Sequence, residues 1–135
     1  MSHFTKIKTE IKDPDALVKA LTEMGFRSIE VHETAQPLYG YEGDKRSDTA
    51  EIIIRRQYIG KMSNDIGFKR QENGSFTAII SEYDRHKYSQ QWLNQMTQRY
   101  AYHALMTQVP LQGFAIEQEE ILDDGTIRVV LAKWV

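Results

Sequence analysis

Four histidines and one loop rich in tyrosine and glycine are the residues of this chain that could support ligand or metal chemistry. His3 and His32 lie near the ends of two predicted strands, and Glu33 or Asp44 could join them in a two-histidine-one-carboxylate metal site. No two histidines have the spacing H-x-H or H-x-x-x-H, and the chain has no cysteine to supply a thiolate ligand. A metal or small-ligand site, with His86 nearby, therefore requires the fold to bring these residues together. Ordinary surface histidines are the alternative.

The loop from residue 39 to 46, YGYEGDKR, is the second candidate ligand site. Its glycines would let backbone N–H groups approach a ligand, and Tyr39 and Tyr41 would offer stacking faces beside Asp44. The spacing of a phosphate loop is absent, and no G-x-G-x-x-G sequence follows a strand, so no cofactor is predicted. A compact surface loop pinned by its own tyrosines is the alternative.

Seven basic residues in the middle of the chain could form a surface that binds an anionic partner. Alternation along two neighbouring strands places one residue of each basic pair on each face of a sheet, and the start of the last helix adds three more. Basic and aromatic side chains together suit single-stranded nucleic acid, but the net charge of −2 argues against it. An acidic protein partner is predicted, with these residues as its site: Arg55, Arg56, Lys69, Arg70, Arg85, His86 and Lys87.

Charge is distributed unevenly along the chain. Residues 1–44 carry a net charge of −3, residues 45–103 carry +4, and residues 104–135 carry −3. A basic middle between acidic ends could steer an anionic partner. The same pattern also arises when basic strands pair with acidic strands across a sheet, and this alternative stays open.

Size and composition predict a single domain over residues 1–135 with a core that needs no disulfides. No apolar run is long enough for a signal peptide or a membrane span, so a soluble intracellular protein is expected. No nucleophile elbow is present, and no pair of carboxylates is placed for acid–base catalysis. The absence of these catalytic motifs favours a non-enzymatic protein, and an enzyme stays the alternative.

Periodicity predicts the element order β-α-β-β-β-β-α-β-β. Asp13 and Pro14 suit the start of the first helix, and Gly25 suits its end. Residues 33–48 have no periodicity and are predicted to be a long loop, whereas Asn73-Gly74 predicts a type I′ hairpin turn. Two similar β-α-β-β halves would form one mainly antiparallel sheet with both helices on one face. That is an α+β fold of ferredoxin-like type.

The stretch from 83 to 108 is predicted to be the main helix, because its apolar residues recur at helical spacing. Asp84 is expected to cap its N-terminus, or Ser89 if the first turn is irregular. Leu93, Met96 and Tyr100 form the stripe that should face the core. The apolar surface broadens from Tyr102 to Met106, which predicts cover by the protein's own loops or by a second subunit. A homo-oligomer formed through the C-terminal half of this helix is therefore a further expectation.

Several short motifs resemble one protein family along the whole chain. They are MSHF at residues 1–4, EVHET at 30–34, LYGY at 38–41, IIRR at 53–56, NDIGF at 64–68 and YDRH at 83–86. Through them the chain is similar to the hypothetical chloroplast open reading frame thirty-five family of cyanobacteria and red-algal plastids. The resemblance implies a protein of the cyanobacterial cytoplasm or the plastid stroma, and it carries over no activity, cofactor or catalytic residue.

Two hypotheses about function follow. The first is a non-enzymatic accessory protein of photosynthetic cells that docks an acidic partner, such as a ferredoxin-type protein or an assembly, through the basic residues. The alternative is a small-ligand- or metal-dependent enzyme, with its site between the histidines and the loop that contains Tyr39, Tyr41 and Asp44.

Overall fold

In the computed structural model, which describes residues 3–133, seven strands and two α-helices follow the predicted order. Short 3₁₀ turns lie at 56–58, 84–86 and 110–112. The bounds are β1 Phe4–Lys8, α1 Pro14–Glu23, β2 Glu30–Tyr39, β3 Lys45–Ile54, β4 Ile66–Arg70, β5 Phe76–Ser81, α2 Gln90–Gln108, β6 Phe114–Ile121 and β7 Ile127–Lys133.

The strands form two sheets rather than one. The larger sheet has the order β1-β5-β4-β3-β2 with every neighbouring pair antiparallel, and β6 pairs with β7 in a separate hairpin. The α+β class and the mainly antiparallel pairing are confirmed. The prediction of one sheet built from two β-α-β-β halves is wrong, because the last two strands pair only with each other. The strand order does not confirm the ferredoxin-like type.

Local sequence signals determine where the first helix begins and ends, as predicted. The Oδ1 atom of Asp13 accepts hydrogen bonds from the N–H groups of Asp15 and Ala16 at 3.0 and 3.3 Å. Pro14 occupies the first turn, where its missing N–H group costs nothing. Gly25 follows the helix with a φ angle of 108°, a conformation that disfavours residues with a Cβ atom.

Both helices pack on one face of the five-stranded sheet. Leu17 and Leu21 of α1 and Leu93 of α2 share a buried cluster with Ile52 and Phe68 of the sheet. The middle of α2 is also linked to the start of α1, because the Tyr100 hydroxyl accepts hydrogen bonds from the N–H groups of residues 12 and 13 at 2.9 and 3.0 Å. The core stripe predicted for α2 is therefore present.

The second helix begins later than predicted. α2 starts at Gln90, and residues 84–86 form a separate 3₁₀ turn. The Ser89 hydroxyl caps α2 by accepting a hydrogen bond from the N–H group of Trp92 at 3.4 Å. Asp84 does not cap α2, because its carboxylate points instead to the loop before β4, where it accepts a hydrogen bond from the Asn64 N–H group. The segment between β5 and α2 is therefore a structured connection.

Residues 33–48, predicted to be a loop, belong to a long bent β-hairpin. β2 and β3 pair from Glu30↔Ile53 to Tyr39↔Lys45, with two register shifts that bend the ribbon. The distal half of this hairpin folds over the sheet face opposite the helices, where Leu38 packs with Ile53 and Ile79 in a second buried cluster. We call this face the back face. The register shifts remove the two-residue periodicity, which explains the wrong prediction.

The β4–β5 hairpin is confirmed, but its turn is not type I′. A type I′ turn needs positive φ angles at both central residues, and among the described residues only glycines have them. Gly74 alone provides the left-handed residue, with a φ angle of 88°. The Gly74 N–H group donates to the Gln71 carbonyl at 2.9 Å, and the Gln71 N–H group donates to the Ser75 carbonyl at 2.8 Å.

Gly67 gives the first testable prediction, because it leaves the space into which the bent hairpin packs. A Cβ atom on Gly67 would lie 2.7 Å from the Cβ atom of Ala50 and 3.0 Å from a methyl group of Leu38. We expect Gly67→Ala to lower the free energy of unfolding by about 2 kcal/mol through overpacking. Urea denaturation measures the change.

The matched control is the double variant Gly67→Ala with Ala50→Gly, which removes the nearest clashing atom. Its loss of stability should be smaller than the sum of the two single losses. Strict additivity would contradict the assigned contact.

Candidate functional site

A network of buried and partly buried ionic and amide groups lies where β3 ends and β4 begins, and Arg55 joins Glu30 to Asp65 within it. Its Nε and Nη2 atoms donate to the two carboxylate oxygens of Glu30 at 2.7 and 2.9 Å. Its Nη1 atom donates to Asp65 Oδ2 at 2.9 Å and to the Pro37 carbonyl at 3.0 Å. The hydrogen bonds that Arg55 donates to Glu30 hold the pKa of Glu30 below its ordinary value and raise the pKa of Arg55.

Asp65 is completely buried and is the acceptor that joins three segments of the chain. Besides Arg55, its carboxylate accepts hydrogen bonds from the N–H groups of Tyr39 and Arg56, both at 2.7 Å. The Asp65 N–H group also donates to the Tyr39 carbonyl at 3.0 Å. A buried carboxylate is tolerated because these donors compensate for its lost hydration.

Arg56 binds backbone carbonyls rather than carboxylates. Its Nε atom donates to the Ser63 carbonyl at 3.1 Å, and its Nη2 atom donates to the carbonyls of Tyr41 and Lys61 at 2.6 and 3.0 Å. The guanidinium therefore fastens the loop of residues 57–63 to the tip of the β2–β3 hairpin.

Asn64 and Asp84 extend the network to the connection before α2. Asp84 Oδ2 accepts hydrogen bonds from the Asn64 N–H group at 2.9 Å and from the Ser81 hydroxyl at 2.7 Å. Asn64 Oδ1 in turn accepts a hydrogen bond from the Tyr41 N–H group at 2.9 Å. All three of these side chains are buried. We call Glu30, Arg55, Arg56, Asn64, Asp65 and Asp84 the polar framework.

The polar framework holds two exposed segments, residues 57–63 and 82–88, around a groove of about 340 Å³. Tyr58, Met62 and Tyr83 in these segments are about half exposed, at 52%, 56% and 50%. Burial and the nearby Asp84 carboxylate raise the pKa of Tyr88 on the inner wall. We call this feature the loop groove, and its lining residues are Ile59, Gly60, Ser63, Tyr83, Asp84, His86, Lys87 and Tyr88.

Two of the seven predicted partner-binding residues line the loop groove, and Arg85 lies beside them in the segment of residues 82–88. His86 and Lys87 line it and are exposed. Lys87 Nζ lies 5.6 Å from the centre of the Tyr88 ring, and Arg85 donates a hydrogen bond to the Tyr88 carbonyl at 3.3 Å.

The other four predicted residues are placed differently. Arg55 and Arg56 donate their hydrogen bonds inside the polar framework, so they do not form a basic surface stripe with the rest. Lys69 and Arg70 are at the opposite end of β4 from Asp65. The Lys69 ammonium group donates to the Thr49 hydroxyl at 2.7 Å, and the Arg70 guanidinium lies 4.9 Å from the centre of the Phe76 ring.

The histidines predicted to form a metal site are separated. His3 precedes β1 and His32 lies in β2, and these strands are the two opposite edges of the five-stranded sheet. His32 Nε2 is 2.7 Å from a Glu30 carboxylate oxygen, whereas His86 lines the loop groove. Within residues 3–133, no group of three or more histidine, aspartate or glutamate side chains is arranged to hold a metal ion.

The loop containing Tyr39, Tyr41 and Asp44 is the tip of the β2–β3 hairpin. It is pinned, as the alternative interpretation expected, but by the polar framework rather than by its own tyrosine rings. Tyr39 and Tyr41 are held through their N–H groups, and the Tyr39 ring lies 5.6 Å from the Arg55 guanidinium. Asp44 pairs with Arg46 at 3.4 Å. The N–H groups of Tyr39 and Tyr41 already donate to Asp65 and Asn64, so they are not available to a ligand.

The C-terminal half of α2 is covered in part by the β6–β7 hairpin. The Tyr102 hydroxyl donates to Glu119 at 2.7 Å, and Leu105 lines a shallow pocket with Ile127 and Val129. The protein's own chain therefore supplies some of the predicted cover. The homo-oligomer stays a prediction. Neither α-helix among residues 3–133 has the length and apolar character needed to span a membrane.

Neither periodicity nor motif spacing identifies the residues on which the site depends, which are Tyr58, Met62, Asn64, Asp65 and Asp84. One signal was present, because Asn64-Asp65 and Tyr83-Asp84 lie inside the motifs that carry the family resemblance. The pairing between them is not local and could not be inferred from spacing.

Comparisons with known proteins agree with that resemblance. A family profile described as "Protein of unknown function (DUF1257)" matches residues 20–130. Proteins named "Uncharacterized protein ycf35" are 31% identical in Cyanophora paradoxa and 27% identical in Pyropia yezoensis, and each match covers 99% of this chain and 98% of the relative. No solved structure matches the chain significantly. The resemblance to the hypothetical chloroplast open reading frame thirty-five family is confirmed.

Asp65 provides the main test of the polar framework. Asp65→Asn keeps the shape of the side chain but removes the buried charge that compensates Arg55 and sets an amide NH₂ group against at least one of the N–H donors. We expect it to lower the free energy of unfolding by about 3 kcal/mol, measured by urea denaturation.

The matched control is Asp48→Asn. Asp48 pairs with the largely exposed Lys6 at 3.7 Å, so its loss should cost less than about 1 kcal/mol. Equal losses would show that Asp65 has no special structural role.

Glu30 should make stability depend on pH. Because Arg55 lowers its pKa in the folded state, Glu30 contributes stability above the unfolded value of about 4.5, and this contribution is lost as pH falls through the folded pKa. Glu30→Gln should therefore differ most from the wild type at neutral pH, and the difference should shrink in acid. Urea midpoints over a pH series measure it, with Glu33→Gln as the exposed control. A difference independent of pH would contradict the assignment.

Proposed function

We propose that this chain, which belongs to the family described as Protein of unknown function (DUF1257), is a non-enzymatic accessory protein that docks an acidic protein partner at the loop groove. The observation that carries the proposal is the polar framework, which fixes two exposed segments around one groove. We place the interaction in the cytoplasm of cyanobacteria or in the plastid stroma.

The argument begins with the energetic cost of the framework. Burying a carboxylate and a guanidinium costs several kcal/mol of hydration, and a buried ion pair often stabilises a fold no better than apolar residues of similar volume. What the ion pair does supply is directionality, because Arg55, Arg56 and Asp65 contact named atoms of three different segments. Such supporting contacts are what an interaction site on loops requires if its side chains are to be preorganised.

The exposed side chains of the two segments have the composition of a protein interface. Tyrosine, methionine and arginine are enriched where proteins bind one another, and Tyr58, Met62 and Tyr83 stand out from the surface here. Their apolar surface would supply affinity, while the groove itself supplies a pocket for one anchoring side chain of the partner.

The charges around the groove select the sign of the partner. Lys61, His86 and Lys87 are exposed on its two segments, and Glu82 is the exposed carboxylate between them. Asp84 is buried and its carboxylate accepts hydrogen bonds from Asn64 and Ser81, so it is not available for direct contact with a partner. The cations Lys61, Arg85 and Lys87 outnumber the two carboxylates of these segments, Glu82 and Asp84. An acidic protein surface therefore complements this groove better than a basic one.

The enzyme hypothesis has no observation in its favour among the described residues. It required His3, His32 and the tip of the β2–β3 hairpin to share one site, and the two histidines lie at opposite sheet edges. Nucleic acid remains the less suitable partner, because the chain is acidic overall.

The test compares partners captured by tagged protein from a native extract at low and high salt. We expect the wild type to retain an acidic protein at low salt and to release it at high salt. Lys87→Glu and the apolar variant Tyr83→Ala should each lose that protein. Both side chains are exposed, so circular dichroism should show that both variants remain folded.

Lys19→Glu is the matched control, because it makes the same charge change on an exposed position of α1. It should retain the partner. Recovery of the same proteins with Lys87→Glu and Tyr83→Ala would refute the proposed site. Reversing Arg55 and Arg56 is not an informative test, since it would break the polar framework and unfold the site.

A further inference from the structure

A second cleft lies on the back face of the sheet, away from the loop groove. It has a volume of about 350 Å³ and contains three lysines and several hydroxyl groups. We call it the lysine cleft, and its lining residues are Lys6, Lys8, Ser47, Asp48, Thr49, Lys69, Gln71, Thr77 and Ile79.

Strand register brings the lysines together from distant parts of the chain. Thr77 of β5 is paired with Lys8 of β1 on one side and with Lys69 of β4 on the other. Residues that are directly opposite each other in neighbouring strands point to the same face, and strands are about 4.8 Å apart. Lys8 and Lys69 therefore flank Thr77 across about 10 Å of sheet. Lys6, paired with Ile79, extends the row along β1.

The start of β3 overhangs this row and closes one side of the cleft. The Lys6 ammonium group lies 3.7 Å from Asp48, and Lys69 donates to the Thr49 hydroxyl at 2.7 Å. Asp48 is the only carboxylate in the lining, so the three ammonium groups leave an excess of positive charge.

Edge protection does not account for all of these lysines. Lysines on an edge strand prevent pairing with another chain, and Lys6 and Lys8 lie on the edge strand β1. Lys69 lies on β4, an inner strand of the sheet, and is paired there with Thr77 of β5, so it does not protect an outer edge. Thr77 beside it is only 8% exposed and lies at the floor of the cleft, where it contributes a hydroxyl group.

We propose that the lysine cleft binds a compact anion with two or more charges, of the phosphate-ester or polyphosphate class. Ammonium groups are point charges that suit phosphate oxygens, and the hydroxyl groups of Thr49, Thr77 and Ser47 can donate further hydrogen bonds. The lining contains no aromatic ring on which a nucleobase could stack. The phosphate groups, rather than a base, are therefore the recognised part of the ligand.

The probe for the first experiment is inorganic pyrophosphate, titrated into the purified full chain and followed by calorimetry and by amide chemical shifts. We expect saturable 1:1 binding, with shifts centred on residues 69 and 77. Lys8→Gln and Lys69→Gln should each weaken binding about tenfold, because each removes one charge-assisted contact. Lys19→Gln, an equal charge change on α1, should leave the affinity unchanged.

Lys8 is exposed, so Lys8→Gln tests the cleft even if Lys69→Gln disturbs the contact with Thr49. Absence of saturable binding, or equal weakening by Lys19→Gln, would overturn the proposal. Adenosine diphosphate should bind no more tightly than pyrophosphate. A clear preference for the nucleotide would overturn the assigned ligand class.

This inference does not rest on the proposed partner docking, and the two can fail separately. Lys87→Glu should abolish partner capture and leave pyrophosphate binding unchanged, whereas Lys8→Gln should weaken pyrophosphate binding about tenfold and leave partner capture unchanged. Loss of pyrophosphate binding in Lys87→Glu would show that binding responds to net charge rather than to the lysine cleft, and would overturn the site.

Discussion

The carboxylate of Asp65 is the constraint on which most of this structure depends. It is fully buried, so it must be compensated, and its partners come from β2, from the turn that follows β3 and from the Arg55 side chain. Satisfying one carboxylate thus fixes the end of β3, the start of β4 and the tip of the β2–β3 hairpin relative to one another. The neighbouring residue Asn64 fixes the connection that follows β5, because its backbone N–H group donates to Asp84 and its side-chain amide donates to Ser81. An apolar residue at position 65 could fill the space but could not hold these backbone N–H groups.

The two faces of the sheet are covered by different means. The helices cover one face through large apolar side chains, including Phe68 and Phe76, and this packing needs no directional contacts. The back face is covered by the bent hairpin, whose apolar contribution is small and centres on Leu38 and Ala50. The ionic and hydrogen-bonded contacts of the polar framework hold the hairpin down where apolar packing is limited. Gly67 allows the close approach that this arrangement requires.

Sequence alone could predict the elements whose causes are local. Asp13, Pro14 and Gly25 act within one helix, and the run Ile52–Ile54 marks a strand buried on both faces. Residues 33–48 of the bent hairpin do not read as strands, because the register shifts destroy the periodicity that identifies a strand. The candidate site was found only in part, since His86 and Lys87 lie at the groove but Arg55 and Arg56 are internal. Whether an arginine faces solvent or a buried carboxylate depends on Asp65, ten residues from Arg55, and spacing carries no information about that contact.

The bent hairpin also links the two surfaces to which we assign binding. Its tip contacts Asn64 and Asp65 beside the loop groove, and its second strand supplies Asp48 and Thr49 to the lysine cleft. Any change that releases the hairpin from the polar framework must therefore disturb both surfaces at once. Substitutions within the framework can report on folding but cannot separate the two proposed roles. Only exposed side chains at the far ends, such as Lys87 and Lys8, act on one surface without moving the element that both share.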